Sequence, residues 1–153
     1  MKTEVVQLPN MRLAAVPHRG PYQGIGAAFG KLGEVAGQLG LFGLPGAFGI
    51  GVYLDDPQSV PAEDLRSYAG VLVSEGTDIG ELEEIRIPGG KYLCASHIGS
   101  YSGLGESWGR VFSEEIPKSG LEFRPGMMFE IYRNDCADTP EEQLRTDIHV
   151  PVQ

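Results

Sequence analysis

Glu130 is the residue whose type and position most clearly suggest chemistry. It lies in the middle of the stretch Met128 to Tyr132, which is otherwise apolar or aromatic. A carboxylate in mid-strand is poorly placed unless it is paired or used, because removing a charge from water is costly. A partly desolvated carboxylate can select a cationic ligand or act as a general base toward water. The competing interpretation is a glutamate that faces solvent on the polar face of a half-exposed sheet.

Aromatic side chains form the second group of candidates. The single tryptophan, Trp108, and the tyrosines Tyr101 and Tyr132 could supply flat apolar walls or cation–π contacts beside Glu130. If the protein is an enzyme, the predicted catalytic residues are Glu130 as the base and Tyr101 and Tyr132 as hydroxyl donors. Aromatic residues at helical spacing belong to the core more often than to a ligand site, so packing competes with binding as the role of Trp108.

An internal repeat organises the chain. A shift of 79 positions aligns the sequence with itself without a gap. Three of the matched segments or residues are His18–Gly26 with His97–Gly105, Phe29 with Trp108, and Tyr53 with Tyr132. We therefore predict one domain, residues 1–153, made of two duplicated modules at 2–73 and 81–152.

Differences between the two modules point toward a site, because a residue type kept in both copies is more often there for folding. Glu130 falls on Gly51, and Met128 falls on Gly49. Glycine in mid-strand often marks a place where something approaches the backbone closely. The predicted ligand-binding residues are Glu130, Trp108, Tyr22, Tyr53, Tyr101, Tyr132, Met128, Gly49 and Gly51.

The periodicity and turn residues predict two tandem strand-helix-strand-strand modules, each preceded by a short first strand. The predicted strands are 3–8, 11–18, 47–55 and 64–73 in the first module, and 82–87, 91–98, 127–134 and 143–152 in the second. The predicted helices are 22–39, ended by Gly40, and 101–116, ended by Pro117. The fold class is α+β, with pseudo-twofold symmetry, a shared antiparallel sheet of about eight strands and two helices flanking a ligand cleft.

The third strand of each module is predicted to bury one face. Ile50 and Val52 alternate on that face in the first module, as Phe129 and Ile131 do in the second. If Asn134 opposes Gln143 in the last hairpin, Glu130 opposes Asp147, which is then a second, weaker candidate. The loop does not determine that register, and a slip of one residue would reverse every side chain.

Metals and cofactors are not predicted. His18 and His97 each end a strand before a glycine turn, where a hydrogen bond to the turn is the simplest role. The pattern GxGAAFG lacks the βαβ context and the later acidic residue of a dinucleotide site. Cys94 and Cys136 stand far apart and have no metal-ligand spacing.

The charge balance excludes some partners. The formal net charge is −9 at pH 7, which disfavours direct binding to nucleic acid or anionic lipid. The start of the chain has no signal-peptide pattern, and no apolar run reaches the roughly 20 residues of a membrane helix. We expect a cytoplasmic protein that does not bind membranes.

These features resemble the GyrI-like small-molecule-binding domain family, which includes the effector-binding halves of multidrug-responsive activators and stand-alone gyrase-inhibitory proteins. The resemblance covers essentially the whole chain. It is carried by the two HxGxYxGxG-type stretches, by the segment FEIYRND around Glu130, and by the ending LRTDIHVPV. It implies a cleft between the two halves, with Glu130 in the cleft among aromatic walls. Some stand-alone members are hydrolases that open the cyclopropane ring of DNA-alkylating natural products.

The leading hypothesis is a stand-alone bacterial protein that binds hydrophobic, often cationic, drugs or toxins, with a role in detoxification. One alternative is a hydrolase of strained, cyclopropane-bearing electrophiles, so enzymatic activity is left open. Another is an inhibitor that contacts a protein partner, DNA gyrase. We expect a monomer and, because no helix-turn-helix precedes the domain, not a one-component transcription factor.

Overall fold

The computed structural model describes residues 1–44 and 47–153. The chain divides into two compact units. The central unit is Asn10–Pro88, and the terminal unit combines Met1–Pro9 with Gly89–Gln153. We describe each unit by itself.

The central unit contains four antiparallel strands and one main helix. Its elements are β2 (Met11–Arg19), α1 (Gly26–Gln38), β3 (Gly49–Tyr53), β4 (Arg66–Val73) and β5 (Glu83–Ile87), with strand order β3-β4-β2-β5. The helix packs its small and apolar face, Ala28, Leu32 and Ala36, against β2 and β4. It ends before Gly40, whose φ of 71° reverses the chain as predicted.

The terminal unit has the same plan. Its elements are β1 (Lys2–Leu8), β6 (Gly90–Ile98), α2 (Leu104–Arg110), a π-helical turn (Val111–Glu115), α3 (Ile116–Ser119), β7 (Met128–Tyr132) and β8 (Arg145–Pro151), with strand order β1-β6-β8-β7. The predicted α+β fold with an antiparallel sheet of eight strands is confirmed.

The pairing register repeats with the sequence. In the central unit Ala69 lies opposite both Val16 and Gly51, and in the terminal unit Ile148 lies opposite both Ala95 and Glu130. Adding 79 to the residue numbers of the first group gives the residue numbers of the second group. The duplication is therefore a duplication of structure as well as of sequence.

Each compact unit takes its first strand from the other sequence module. Strand β1 pairs with β6, with Leu8 opposite Gly90, whereas β5 pairs with β2, with Ile87 opposite Met11. Sequence similarity alone does not show this exchange, because the two first strands hold equivalent positions in the repeat.

Both faces of the terminal sheet are buried around β7. The face beneath the helices carries a cluster of Leu93, Ala95, Ile148 and Val150 with Val111 and Ile116 of the helical segment. On the opposite face, Phe129 stacks on His149 at 4.7 Å between ring centroids. Phe129 and Ile131 are buried as predicted. Glu130, on the other face, is also buried, because the helices cover that face.

Pro117 does not end the second helix, contrary to the prediction. It lies in the first turn of α3, where a residue without an N–H group is tolerated, and follows directly on the π-helical turn. The helix ends instead at Gly120, which has a φ of 70°. The central unit has no such turn in α1, and π-turns in helices occur frequently at functional sites.

None of the helices in residues 1–44 and 47–153 is both long and apolar enough to cross a membrane.

Candidate functional site

Glu130 is buried on the helix-covered face of the terminal sheet. It lies opposite Ile148, so the two side chains share a face, and Ile148 belongs to the apolar cluster beneath the helices. Only 2% of Glu130 is exposed. The interpretation of Glu130 as a solvent-facing residue is therefore wrong.

Two aromatic side chains hold the carboxylate. The indole Nε1–H of Trp108 donates to Oε1 of Glu130 at 2.5 Å. The hydroxyl of Tyr132 donates to Oε2 at 2.7 Å. Strand β7 places Tyr132 beside Glu130 because residues two apart in a strand share a face, and α2 brings Trp108 from above. The two hydrogen bonds orient the carboxylate, and neither donor brings a positive charge to it.

Tyr101 extends this group toward solvent. Its ring packs edge-on against Tyr132 with centroids 5.5 Å apart, and 38% of the residue is exposed. Burial of the phenol, together with the neighbouring Cys136, Asp135 and Glu130, raises the pKa of Tyr101. Its hydroxyl is therefore protonated at neutral pH. We call Tyr101, Trp108, Glu130 and Tyr132 the aromatic–carboxylate cluster.

The sequence interpretation missed two further aromatic residues next to the cluster. Phe112 stacks on Trp108 at 6.1 Å, and Phe123 lies 5.7 Å from Phe112. Both phenylalanines are exposed. The spacing of Trp108 and Phe112, four residues apart on a helix, is the signal that could have found the first of them. The exposed rings provide an apolar surface that leads to the indole.

Met128 and Trp108 also contribute to packing. Both are partly buried and contact the apolar cluster of the terminal unit. Trp108 therefore packs against the core, as the competing interpretation held, and its N–H group also binds the Glu130 carboxylate.

The remaining predicted residues lie in the central unit. Tyr22 and Tyr53 pack edge-on with centroids 4.8 Å apart, the same arrangement as Tyr101 and Tyr132. Gly49 and Gly51 lie on β3, opposite Val71 and Ala69. The Tyr22 hydroxyl donates to the carbonyl of Asp55 at 2.6 Å and accepts from its N–H at 3.0 Å. Tyr22 therefore has a structural role, since its hydroxyl fixes the backbone at Asp55, just after β3.

Replacing Tyr22 with phenylalanine should lower the free energy of unfolding by about 1–3 kcal/mol, because it leaves both backbone groups of Asp55 without this partner. Burial raises the pKa of Tyr22, so the hydroxyl keeps its proton and this contribution does not change near neutral pH. Thermal unfolding of the variant at pH 7 measures the effect. A variant that melts like the parent would show that the hydroxyl is not structural.

Asp147 does not join Glu130. The observed register places Ile148 opposite Glu130 and Asp147 opposite Ile131, one residue away from the pairing considered from the sequence. Asp147 therefore points to the opposite face, where it accepts hydrogen bonds from Arg133, Arg145 and Ser96. The Asn134 side chain stabilises the observed register, since its NH₂ group donates to the carbonyl of Gln143 and its Oδ1 accepts from the N–H of Arg145.

The histidines that precede the glycine turns bind those turns, as predicted. Nε2 of His18 lies 3.0 Å from the carbonyl oxygen of Pro21, and Nε2 of His97 lies 2.8 Å from that of Ser100. Within the described ranges, no group of three or more histidine, cysteine, aspartate or glutamate residues could hold a metal ion.

Comparison with protein families gives a match over the whole chain. The model of the GyrI-like small molecule binding domain matches residues 1–153. A DNA gyrase inhibitor of Klebsiella pneumoniae strain 342 is 31% identical over 109 residues, which is 68% of this chain and 68% of that protein.

Solved structures with low sequence identity share the fold. The structure of SAV2435 bound to tetraphenylphosphonium has a TM-score of 0.71 at 17% identity and covers 100% of this chain and 94% of the other. A hydrolase from Listeria innocua has a TM-score of 0.67 at 16% identity, covering 99% of this chain and 92% of the other.

Proposed function

Because the chain belongs to the GyrI-like small-molecule-binding domain family, we propose that it binds hydrophobic organic cations at the aromatic–carboxylate cluster. The observation that carries the proposal is the buried Glu130 carboxylate, held by the aromatic residues Trp108 and Tyr132. A carboxylate attracts a cation, and aromatic faces attract it further through their negative π-clouds.

A ligand can use the charge of Glu130 without displacing the rings that cover it. The indole N–H and the phenol O–H lie in the planes of their rings, so the carboxylate is at the edges of Trp108 and Tyr132. A cation stacked on the face of either ring then lies roughly 7 Å from the carboxylate, and at an effective dielectric constant of about 20 the attraction is about 2 kcal/mol. A lipophilic cation with delocalised charge loses little hydration on binding, so this attraction is retained. The exposed rings of Phe112 and Phe123 add apolar contact for such a ligand.

The direct experiment compares tetraphenylphosphonium with triphenylphosphine oxide, which has similar aryl groups but no net charge. Calorimetric titration should show tighter binding of the cation by roughly tenfold or more, the ratio expected from about 2 kcal/mol of charge attraction. Equal affinity for the two compounds would contradict a site selected by charge.

Tryptophan fluorescence should report the same event. Trp108 is the single tryptophan of the chain, so the emission comes from one known position. Binding of tetraphenylphosphonium against the indole should quench or shift that emission, because stacking changes its surroundings. The neutral compound and free N-acetyltryptophanamide serve as controls for collisional quenching. If calorimetry shows binding while the emission stays constant, Trp108 is a core residue and the ligand lies elsewhere.

Hydrolysis of strained electrophiles is the second candidate function, favoured by the protonated phenol of Tyr101 next to Tyr132 and Glu130. Glu130 would accept a proton from water as the oxygen attacks a cyclopropane carbon, and a tyrosine hydroxyl would stabilise the oxygen that gains charge when the ring opens. Mass spectrometry after incubation with a cyclopropane-bearing electrophile separates the two functions. Hydrolysis gives a product one water heavier, and binding alone returns the compound unchanged.

A further inference from the structure

A second feature of the terminal unit lies apart from the aromatic–carboxylate cluster. It is a groove of about 400 Å³. The residues that line it are Met1, Lys2, Ser96, His97, Ile98, Ser107, Arg110 and Arg145. None of the four cluster residues is among them, so the groove is a separate place in which to look for chemistry.

A serine and a histidine meet in this groove with the geometry of a nucleophile and its base. Oγ of Ser107 lies 2.7 Å from Nδ1 of His97, and Nε2 of His97 lies 2.8 Å from the carbonyl oxygen of Ser100. A carbonyl can only accept, so in the neutral imidazole Nε2 carries the proton and Nδ1 offers its lone pair. The Ser107 hydroxyl then donates to Nδ1. The pattern of nucleophile, base and orienting group is the one used in covalent catalysis.

The repeat indicates that this serine is not needed for folding. Its equivalent in the central unit is Ala28, which is buried in α1, while His18 keeps the bond to its own turn at 3.0 Å. The histidine and the turn are thus common to both copies, whereas the hydroxyl is found in one copy. Ser107 is also partly exposed, so it is accessible from the groove.

Three cationic side chains line the groove, although the net charge of the protein is −9. Lys2, Arg110 and Arg145 line it. The two arginines bind Glu114 and Asp147, but each side chain is about half exposed, at 48% and 47%, and a guanidinium has five N–H donors. Such a set of donors favours a substrate that carries a carboxylate.

We propose that Ser107 and His97 form a nucleophile–base pair that transfers acyl groups from esters bearing a carboxylate. Ser107 Oγ attacks the ester carbonyl while its proton passes to Nδ1 of His97. The bond to the leaving alcohol breaks, and the proton on Nδ1 goes to that alcohol. Water, giving its proton to Nδ1, then attacks the acyl–serine ester and releases the carboxylic acid, and the proton returns to Ser107. Arg110 orients the distant carboxylate of the substrate.

The test uses the whole chain and two chromogenic esters. The nitrophenyl half-ester of adipic acid carries a carboxylate that is too far from the ester to close a five-membered anhydride, and nitrophenyl hexanoate is its uncharged analogue. We expect the parent protein to release nitrophenolate from the adipate ester at least about tenfold faster than Ser107→Ala, since a positioned base contributes about 10²–10⁴-fold. Peptide mass spectrometry of acid-quenched samples should place the adipoyl group on Ser107.

The controls separate nucleophile, folding and charge. Ser107→Ala reproduces the natural residue of the equivalent position, Ala28, so it should fold, and circular dichroism checks this. Ser102→Ala removes an exposed hydroxyl nearby and should match the parent. Arg110→Gln should slow turnover of the adipate ester and leave turnover of the hexanoate ester unchanged. Equal rates for parent and Ser107→Ala, or acylation at another residue, would overturn the nucleophile. Equal loss on both esters in Arg110→Gln would overturn the carboxylate preference.

This inference and the proposed function stand on different residues and different probes. Tetraphenylphosphonium binding tests the aromatic–carboxylate cluster, and ester turnover tests the groove. A negative result in one experiment therefore leaves the other unaffected.

Discussion

Replacing Glu130 with glutamine is expected to weaken the binding of tetraphenylphosphonium about ten- to a hundredfold, because it removes the attraction of about 2 kcal/mol between the carboxylate and the cation. The substitution keeps the shape of the side chain and removes its charge. The affinity for triphenylphosphine oxide should not change, since that compound has no net charge. Calorimetric titration of parent and variant with both compounds measures the two effects.

The same substitution should leave stability almost unchanged. The glutamine carbonyl can accept from the indole N–H of Trp108, which can only donate. The glutamine NH₂ group can donate to the Tyr132 hydroxyl, which can turn from donor to acceptor. Both hydrogen bonds are therefore kept, and a charge that was costly to bury is gone. We expect the melting temperature to stay within a few degrees of the parent or to rise.

Glu4→Gln is the matched control. Glu4 is exposed on the same unit, and its register opposite Cys94 puts it on the sheet face that does not carry Glu130, so the variant changes the net charge by the same amount away from the cluster. It should bind tetraphenylphosphonium like the parent. If Glu130→Gln binds the cation normally but melts many degrees lower, Glu130 is a structural residue and the proposed site is wrong.

Replacing Asp147 with alanine is expected to have a large effect on stability, a loss of about 2–4 kcal/mol, because it removes the hydrogen bonds that this buried carboxylate accepts from Ser96 and from the more exposed guanidinium groups of Arg133 and Arg145. Asp147 is 1% exposed and forms ion pairs with Arg133 at 2.7 Å and with Arg145 at 3.0 Å. Ser96 donates a further hydrogen bond at 2.9 Å. For a chain of this size the melting temperature should fall by roughly 10 °C.

The contribution of Asp147 should also depend on pH. Burial alone would raise the pKa of its carboxyl group, but the hydrogen bonds from Arg145, Arg133 and Ser96 outweigh burial and hold the pKa below its usual value. A group whose pKa is lower in the folded state stabilises that state above its unfolded pKa of about 3.9. The contribution is lost as the pH falls from there through the lower folded value. Denaturant unfolding of parent and Asp147→Ala should therefore differ most near pH 6–7, and the difference should shrink in strong acid.

Asp138→Ala, an exposed acidic residue of the same unit, is the control and should melt like the parent. A small loss of stability in Asp147→Ala, similar to that of the control, would contradict the structural role of the ion cluster. Loss of tetraphenylphosphonium affinity without loss of stability would instead support Asp147 as the second candidate considered beside Glu130.

Much of the fold could be predicted from the sequence because its signals are local or repeated. The glycine turns at Gly20 and Gly99 and the alternation in β3 and β7 located the elements, and the shift of 79 positions revealed the duplication. Glu130 was also identified from a local signal, because it is the one charged residue in the apolar stretch from Met128 to Tyr132. The sequence left open whether that position is buried, because an exposed sheet face can also carry a charge.

The contacts that define the candidate sites depend on tertiary packing and could not be predicted in this way. The loop between β7 and β8 allows more than one register, and a slip of one residue decided that Ile148, not Asp147, shares a face with Glu130. The bond from Trp108 to Glu130 depends on how α2 lies across the sheet. The sequence also did not determine which strand pairs with β1, since each module has an equivalent second strand, β2 or β6.

The pair of Ser107 and His97 shows the same limit. The sequence interpretation correctly predicted that His97 binds its turn through one ring nitrogen. The other nitrogen meets a hydroxyl ten residues later, and only the folded helix brings the two within 2.7 Å. The sequence by itself therefore determined the elements, the repeat and the acidic residue at the centre, because these follow from neighbouring residues. The tertiary structure decided which side chains meet, because hydrogen bonds between distant residues depend on strand register and on helix placement.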